Sequence, residues 1–358
     1  MKKLSFNKRL SDLVIGISGI NATDNPGPGV PVARSLKEGS PDSRLVGLSY
    51  DPHDPGNYMT ELLKHTTRMP FPSKGWSEVL KKLHALKQRF GLNMLIPSLD
   101  AELPLFIAHQ KELKKIGIQT LLPTEEQFLI REKKVLAENC SAWGFLHPKT
   151  FVVHSVDQLI DLLKDESMFP CYIKGNYYKA YLVHHLSQAI LRFTEIADEW
   201  GLPILVQKPV LGKEVNLVGL GDGAGNACGM MVAKKLTTTS LGKFWTGVSM
   251  SHPKLLELGE QFVQQTKWRG PFELECMETE SGIVLIEINP RFPAWVYFAT
   301  GCGLNLPLRL AQLVTFGDCP THSQYEVGKL FVRYTSEIVT DLSIYSSLMM
   351  DGGWKDAA

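Results

Sequence analysis

The residues with the clearest chemistry lie in the stretch FELECMETESGIVLIEINPRF, residues 272–292. Side chains alternate between faces along a strand, so Glu273 and Glu275 share one face, and Glu287 and Asn289 share another. A hairpin turning near Ser281-Gly282 brings the two pairs side by side. Carboxylate and carboxamide oxygens are the ligands that Mg²⁺ prefers, usually one or two carboxylates with substrate phosphates. The spacing therefore predicts a divalent-cation site.

The alternative interpretation is an edge hairpin whose acidic face is solvated. Charge alone favours that alternative. The run Ile283–Ile286 is apolar throughout, however, which is typical of a strand buried on both faces. Acids at the end of such a strand are directed at a site, and without a cation they would repel one another. Arg291 follows, and its planar guanidinium suits a phosphate group.

The first third of the chain must supply a sheet, because strand and helix patterns alternate there with short connections. This alternation predicts βαβ units and a parallel sheet. The predicted strands are DLVIGIS, RLVGLSY, LNMLIPS and IQTLLP, and the predicted helices are GVPVARSLKEG, WSEVLKKLHALKQRFG and AELPLFIAHQKELKKIG.

The middle and last parts have a different pattern. One helix is predicted over TEEQFLIREKKVLAENCSAWG, and two more over VDQLIDLLKDE and LSQAILRFTEIADEWG. Strands are predicted at HPKTFVVHS, FPCYIKGN and ILVQKPV, and a hairpin is predicted to turn at GDGAGN. A further helix is predicted over PKLLELGEQFVQQTKW, before the acidic hairpin.

The composition and charge of the chain indicate which class of protein it belongs to. The 358 residues suffice for two or three domains, and 38 Lys plus Arg against 37 Asp plus Glu leave a net charge of +1. That balance argues against nucleic-acid and membrane partners. No leader segment or membrane-spanning run is apparent. The six cysteines lie far apart without a C-x-x-C pair, which predicts free thiols in a reducing cytoplasm and no zinc site.

At this point the sequence resembles a known superfamily. IEINPR, following a hairpin from FELE, is similar to the metal-binding signature of ATP-grasp enzymes, such as biotin carboxylase and D-alanine–D-alanine ligase. The resemblance implies that Glu275, Glu287 and Asn289 bind Mg²⁺, or Mn²⁺ in its place, and that Arg291 lies beside the phosphates. Glu273 is the alternative to Glu275, which is preferred for its spacing from the turn.

Three upstream segments fit the same resemblance. The basic residues implied to contact phosphate are Lys133, with Lys134 as its substitute, and Lys174 at the end of the strand FPCYIKG. QKPVLGKE is similar to the superfamily's hinge, in which Gln207 and the Val210 backbone would meet adenine and Glu214 the ribose. ATGCGLNLPLRLAQLVTFG is similar to its closing segment.

Two departures accompany the match. The flap after Lys174 reads GNYYKAYLV rather than a Gly-rich sequence, so Tyr177, Tyr178 and Lys179 stand where glycines are usual. Lys208 replaces the hinge acid. Both affect how the nucleotide is held.

The resemblance implies an α/β fold with an N-terminal Rossmann-like pre-ATP-grasp domain and a two-lobed α+β ATP-grasp domain. The implied boundaries are 1–121 for the first domain, 122–330 for the second with a lid at about 148–206, and 331–358 for a terminal strand and tail. Dimerisation through the first domain is implied in the same way.

The implied activity is an ATP-dependent ligase. A carboxylate is activated as an acyl phosphate, and an amine then attacks it to give an amide, ADP and phosphate; Lys174 and Arg291 are the catalytic residues. The substrates are a small-molecule carboxylate and amine, or a peptide. Two alternatives stay open, namely a carboxyphosphate or carbamoyl-type enzyme and a nucleotide-binding regulatory subunit.

The loop NATDNPGPG follows the first strand, where open α/β sheets bind ligands. It lacks the spacing of a dinucleotide loop or a P-loop. The helix after it begins near Val30, and its free N–H groups would face an anion. The residues predicted to hold a co-substrate carboxylate are Asn21, Asp24, Asn25, Gly27 and Gly29, with a plain connection as the alternative. Trp295 is predicted to line an acceptor pocket, with packing onto the sheet as the alternative.

Overall fold

The computed structural model describes residues 10–22, 26–175 and 179–350. By its internal contacts the chain divides into two compact units. Unit 1 comprises Met1–Glu125, Asn216–Glu273 and Asn289–Ala358, and unit 2 comprises Glu126–Val215 and Leu274–Ile288. The domain boundaries at 121 and 330, which follow from the resemblance, stay a prediction.

The N-terminal part of unit 1 is a parallel sheet with strand order β3-β2-β1-β4. This confirms the predicted strand–helix alternation. The strands are β1 (Val14–Ile17), β2 (Arg44–Ser49), β3 (His65–Arg68) and β4 (Met94–Ile96). The helices are α1 (Gly29–Gly39), α2 (Trp76–Phe90), α3 (Leu103–Ala108) and α4 (Gln110–Lys115), with 3₁₀ turns at Pro55–Tyr58 and Pro72–Lys74.

Three details of this part differ from prediction. The helix predicted over residues 101–117 is two helices, because the chain leaves helical geometry at His109, whose ring stacks on Trp76 with centroids 4.3 Å apart. Strand β3 was not predicted, since HTTR has no apolar residue to mark it. IQTLLP forms an isolated bridge, Met94 to Gln119, rather than a full strand.

Unit 2 contains an antiparallel sheet with strand order β5-β8-β6-β7. The helices α7 and α8 pack against that sheet and form the hydrophobic core of the unit with it. The helix predicted over 124–144 breaks before Lys133, where Glu132 is extended and the Asn139 side chain caps the Ile130 carbonyl at 3.0 Å. The elements are α5 (Glu125–Leu129), α6 (Lys133–Trp143), β5 (Thr150–Val153), α7 (Val156–Leu163), β6 (Cys171–Gly175), β7 (Ala180–Val183), α8 (Leu186–Trp200) and β8 (Ile204–Gln207).

A six-stranded sheet has the order β13-β12-β9-β10-β11-β14. The predicted turn at GDGAGN is confirmed, since the Asp222 carboxylate accepts from the backbone N–H groups of residues 224–226. The strands are β9 (Lys213–Asp222), β10 (Ala227–Thr238), β11 (Phe244–Ser249), β12 (Arg269–Thr279), β13 (Gly282–Asn289) and β14 (Leu330–Val332). The helices are α9 (Pro253–Thr266), α10 (Tyr297–Gly301), α11 (Leu306–Phe316) and α12 (Leu342–Met350).

The expectation that all cysteines are free thiols is wrong for one pair. Cys228 on β10 and Cys319 after α11 form a disulfide. Their separation in sequence is 91 residues, so only the fold reveals that they meet. Four other cysteines are buried and lie outside this disulfide, namely Cys140, Cys171, Cys276 and Cys302. Among the described residues, no helix is long and apolar enough to cross a membrane.

Candidate nucleotide and metal site

The most informative side chain of unit 2 is Lys174, near the end of β6. Burial alternates along this strand, with Cys171 and Ile173 in the core, so Lys174 points away from it. Its Nζ donates a hydrogen bond to Gln207 Oε1 at 2.7 Å and lies 5.1 Å from the centre of the Tyr172 ring. The ammonium is therefore held in one position by a neutral acceptor.

Gln207 is fixed in turn. Its Nε2 donates to Thr150 Oγ1 at 2.8 Å, and the Thr150 hydroxyl donates to the Pro148 carbonyl at 2.8 Å. Both ends of the Gln207 amide are thus used within unit 2. The Gln207 side chain thus orients Lys174, and its contact with adenine stays a prediction.

Charged groups from other elements of unit 2 act on Lys174. Its pKa is lowered to about 8, first by burial and then by the positive charge of Lys133, while Glu287 and Glu275 oppose that shift. Lys133 begins α6, and the two acids lie on β13 and β12. The structure therefore brings together two predicted phosphate lysines and two predicted metal carboxylates. The Lys134 side chain lies outside the described residues.

A cavity of about 310 Å³ lies at this position, a volume in the range of small-ligand pockets. Five residues that were predicted to serve the nucleotide or its metal line this cavity, namely Lys174, Gln207, Val210, Glu214 and Glu275. The other lining residues are Tyr172, Lys208, Cys276, Met277 and Ile286. The hinge, the basic strand end and the acidic hairpin therefore surround one space within unit 2.

Lys208 stands where the superfamily's hinge has an acid, and its side chain donates hydrogen bonds to backbone carbonyls. Its Nζ donates to the carbonyls of Ser167 and Met168 at 2.9 and 3.1 Å, and approaches that of Pro170 at 3.5 Å. An acid at this position would repel those carbonyl oxygens. Lys208 thus ties the hinge to the 3₁₀ turn Glu166–Met168 that precedes β6.

The flap residues Asn176, Tyr177 and Tyr178 lie outside the described part of the chain. Lys179, the next residue, has a left-handed backbone and forms an ion pair with Glu199. Its ammonium is thus directed at α8.

Glu273 is described within unit 1, where it is 4% exposed. Its Oε1 accepts from Asn216 Nδ2 at 3.0 Å and from Trp295 Nε1 at 2.7 Å, and its Oε2 accepts from Asn289 Nδ2 at 3.0 Å. Both carboxylate oxygens are engaged by neutral donors. This arrangement supports Glu275 over Glu273 as the metal ligand.

Two further predicted site residues belong to unit 1. Arg291 donates from Nε to Asp100 Oδ2 at 2.8 Å, and its Nη2 lies 2.8 Å from the same oxygen, so one edge of the guanidinium is paired with an acid. Trp295 is 2% exposed and stacks on Phe244 with centroids 5.1 Å apart. These contacts support the packing alternative for Trp295.

The loop after β1 is described in part, since Asp24 and Asn25 lie outside the described residues. The N–H groups of Gly27 and Gly29 donate to the carbonyls of Asn21 and Gly19 at 2.7 and 2.8 Å. A Cβ on either glycine would lie about 2.1–2.3 Å from a backbone oxygen. The glycines therefore allow two backbone segments to touch, which supports the plain connection. The Asn21 Oδ1 is buried and has no hydrogen-bond partner among the described residues.

The donor set fits a hard divalent cation. Glu275 and Glu287 supply carboxylates beside Lys174, and Asn289 follows Glu287 by two positions on β13, on the same face of that strand. Over residues 10–22, 26–175 and 179–350, no three His, Cys, Asp or Glu side chains are grouped so that they could hold a metal ion. Two carboxylates leave positions for phosphate and water, as Mg²⁺ sites usually do.

Sequence reasoning missed several of these residues. Three of them form a side-chain hydrogen bond with a predicted site residue that is distant in the sequence, namely Thr150, Asn216 and Asp100. Tyr172 could have been found, because strand alternation places it on the same face as Lys174.

No family model matches the sequence, and no curated protein matches it either. Solved structures do match in fold. The biotin carboxylase of Campylobacter jejuni, in a β,γ-ATP complex, superposes with a TM-score of 0.69 at 12% identity, covering 89% of this chain and 74% of that one. The biotin carboxylase domain of Hydrogenobacter thermophilus 2-oxoglutarate carboxylase, with MgADP and bicarbonate, gives 0.64 at 15% identity, covering 89% and 73%.

An L-amino acid ligase of Bacillus licheniformis gives a TM-score of 0.65 at 12% identity, covering 85% of this chain and 74% of the ligase. The predicted resemblance to ATP-grasp enzymes is thereby confirmed at the level of the fold. The chain has the ATP-grasp fold, with a Rossmann-like parallel sheet in its N-terminal part.

Proposed function

We propose that this protein is an ATP-dependent ligase that activates a carboxylate as an acyl phosphate for attack by an amine. The observation that carries the proposal is the position of Lys174, which Gln207 holds at a cavity that Glu275 also lines, where the charges of Lys133 and Glu287 act on it. Phosphoryl transfer requires positioned charges more than covalent help, and this group supplies both signs. The fold supports it, since similar structures hold ADP with magnesium or an ATP analogue.

In this proposal the residues of unit 2 bind the nucleotide. Val210 and Glu214 receive the adenosine, while the ammonium groups of Lys133 and Lys174 offset the charge of the phosphates. Glu275, Glu287 and Asn289 hold Mg²⁺, with Mn²⁺ as a substitute. Held by these residues, a divalent cation would supply neutralisation of phosphate charge.

Arg291 has the second catalytic role in this proposal. Asp100 holds one edge of its guanidinium, which fixes the plane of the group. Nη1 approaches the Phe292 carbonyl at 3.4 Å, and the planar, permanently charged guanidinium is of a type suited to a carboxylate or to the phosphate formed on it. Arg291 thereby orients the acceptor, and Lys174 stabilises the transferred group.

The substrates proposed are a small-molecule carboxylate and an amine, or a peptide, as the fold shared with an L-amino acid ligase suggests. Carboxyphosphate formation is the second candidate, because a matching biotin carboxylase holds bicarbonate. That biotin carboxylase domain forms a dimer in its crystal structure, which motivates a homodimer here. We also propose a cytoplasmic location for the protein. The Cys228–Cys319 disulfide is unusual for a protein of a reducing compartment.

The test is ADP release in the presence of Mg²⁺ across a panel of amino acids, other carboxylates and bicarbonate. An amine-dependent rise in ADP with one carboxylate supports the ligase, and a rise with bicarbonate alone selects the second candidate. Thermal stabilisation by MgADP is measured in parallel. Stabilisation without turnover on any substrate would favour a regulatory subunit, and the absence of stabilisation would overturn the proposal.

A further inference from the structure

A second cavity, of about 1150 Å³, lies within unit 1 at the amino ends of the parallel strands. Val14, Arg44 and His65 are the first residues of β1, β2 and β3, and all three line it. Parallel strands place their first residues at one edge of a sheet, so this cavity is at the edge opposite the loop after β1. It shares no lining residue with the 310 Å³ cavity.

The lining of this amino-edge cavity is predominantly basic. Its cations are Lys37, Arg44, Lys64 and Arg89, and its acids are Asp42 and Glu61. The whole chain has a net charge of only +1, so the excess of positive charge here is local. A concave surface with an excess of one sign of charge attracts ions of the opposite sign.

Part of this charge has a structural explanation. Lys37 and Arg89 lie in the last turns of α1 and α2, where cations favourably oppose the helix dipole. Lys37 Nζ also donates to the Pro41 and Ser43 carbonyls at 3.0 and 2.7 Å. That explanation does not extend to Arg44 and Lys64, which are exposed, lie outside the helices and face the same cavity.

The cavity also offers an apolar surface. Leu62 and Phe90 line it, and the Phe90 ring stacks on His65 with centroids 4.8 Å apart. The positive field continues beyond the lining, because the pKa of Lys82 is lowered by burial and then by the charges of Arg89 and Arg68. An apolar wall beside several cations suits an organic anion better than a bare inorganic ion.

We propose that the amino-edge cavity binds a phosphate-bearing organic molecule, about the size of a nucleotide or sugar bisphosphate, at a site separate from the catalytic nucleotide. Arg44 and Lys64 contact its phosphates, and the Phe90 wall receives its apolar part. The strand edge that holds it carries none of the residues of the proposed ligase site, so the ligand is distinct from the substrates of that proposed function.

The first experiment measures lysine acetylation by mass spectrometry with fructose 1,6-bisphosphate as the probe and fructose as its neutral control. MgADP is present throughout, so that the 310 Å³ cavity is filled. The bisphosphate should lower the labelling of Lys64 several-fold and leave Lys111, an exposed lysine on α4, unchanged. Equal labelling of Lys64 with and without the bisphosphate would overturn the proposal.

The second experiment titrates the bisphosphate against thermal stability in a double variant, Arg44→Gln with Lys64→Gln. The half-saturating concentration should rise at least tenfold, whereas the charge-matched pair Lys111→Gln with Lys114→Gln should leave it unchanged. Binding as tight as in the unmodified protein would overturn the proposal. MgADP stabilisation is recorded in the same samples, so a failure of the proposed ligase function is seen separately.

Discussion

Two carboxylates on β12 belong to different environments although they are neighbours on one face of the strand. Glu273 is buried in unit 1 and accepts from Asn216, Asn289 and Trp295, all neutral donors. Glu275, described in unit 2, lines a cavity and acts electrostatically on Lys174. The residue type and the strand are the same, so the donors around each acid decide its role.

A buried carboxylate satisfied by neutral donors is a structural element, because removing it leaves those donors unsatisfied. A carboxylate that lines a cavity together with a lysine of lowered pKa has capacity for a ligand. The comparison therefore separates stability from chemistry on one strand. The predictions below test that separation.

The largest effect is expected for Glu287→Gln, with Glu275→Gln close behind. Each change removes one negative charge from the proposed metal site while keeping the side-chain size, so kcat should fall about 10²–10³-fold. The free energy of unfolding should change little. The matched control is Glu280→Gln at the exposed hairpin turn, and unchanged turnover in Glu287→Gln would contradict the metal assignment.

The next effect is on stability. Glu273→Gln replaces one acceptor oxygen with an amide nitrogen that faces the donors of Asn216, Trp295 or Asn289. The expected loss is about 2–3 kcal/mol in the free energy of unfolding, measured by urea denaturation. Glu275→Gln, with the same chemical change two residues away, should lose less than about 0.5 kcal/mol. Equal losses in both variants would show that the comparison is wrong.

Much of the fold could be predicted because its signals are local. The helix Trp76–Phe90 and the hairpin at Asp222 carry periodicity and turn residues within a short window. The break at His109 could not be predicted, since it accompanies a stack on Trp76, a residue distant in the chain. Tertiary contact overrode helix propensity there.

The same limit applies to the candidate site. Motif order placed Lys174, Glu275 and Glu287 in one site, and the structure brings their charges together. The task of Gln207 was not visible, because it depends on Thr150, which pairs with it across two strands. Sequence spacing identifies which residue types converge, whereas hydrogen-bond partners depend on the packed structure.

The third prediction concerns pH. The pKa of Lys174 is about 8, below its ordinary value of 10.5, so the free enzyme loses this positive charge as pH rises past 8. If the ammonium holds ATP phosphates, kcat/KM for ATP should fall about tenfold per pH unit above that value. Lys174→Arg should remove the fall, because a guanidinium stays protonated. A flat profile in the unmodified protein would argue against this role.

The lowered pKa of Lys174 predicts the opposite pH dependence for the free energy of unfolding. Between about pH 8 and 10.5 the unfolded chain keeps the Lys174 proton that the folded chain has lost. Stability rises with pH wherever the unfolded state binds more protons, so this lysine contributes a gain over that interval. Comparing unfolding of the unmodified protein with Lys174→Met across the interval isolates that contribution.

The smallest effect is expected for a substitution of Lys208, which extends the comparison from carboxylates to lysines. Lys174 faces charged groups, whereas Lys208 donates to the carbonyls of Ser167 and Met168. Lys208→Met should cost about 1 kcal/mol of stability, since two charge-assisted hydrogen bonds at a half-exposed position are replaced by water contacts. It should leave kcat within about twofold, because the proposed catalytic charges are untouched. Lys213→Met, at the exposed start of β9, is the control for loss of charge alone. A kcat loss in Lys208→Met as large as that in Glu287→Gln would place Lys208 among the catalytic groups and remove the distinction between structural and chemical lysines.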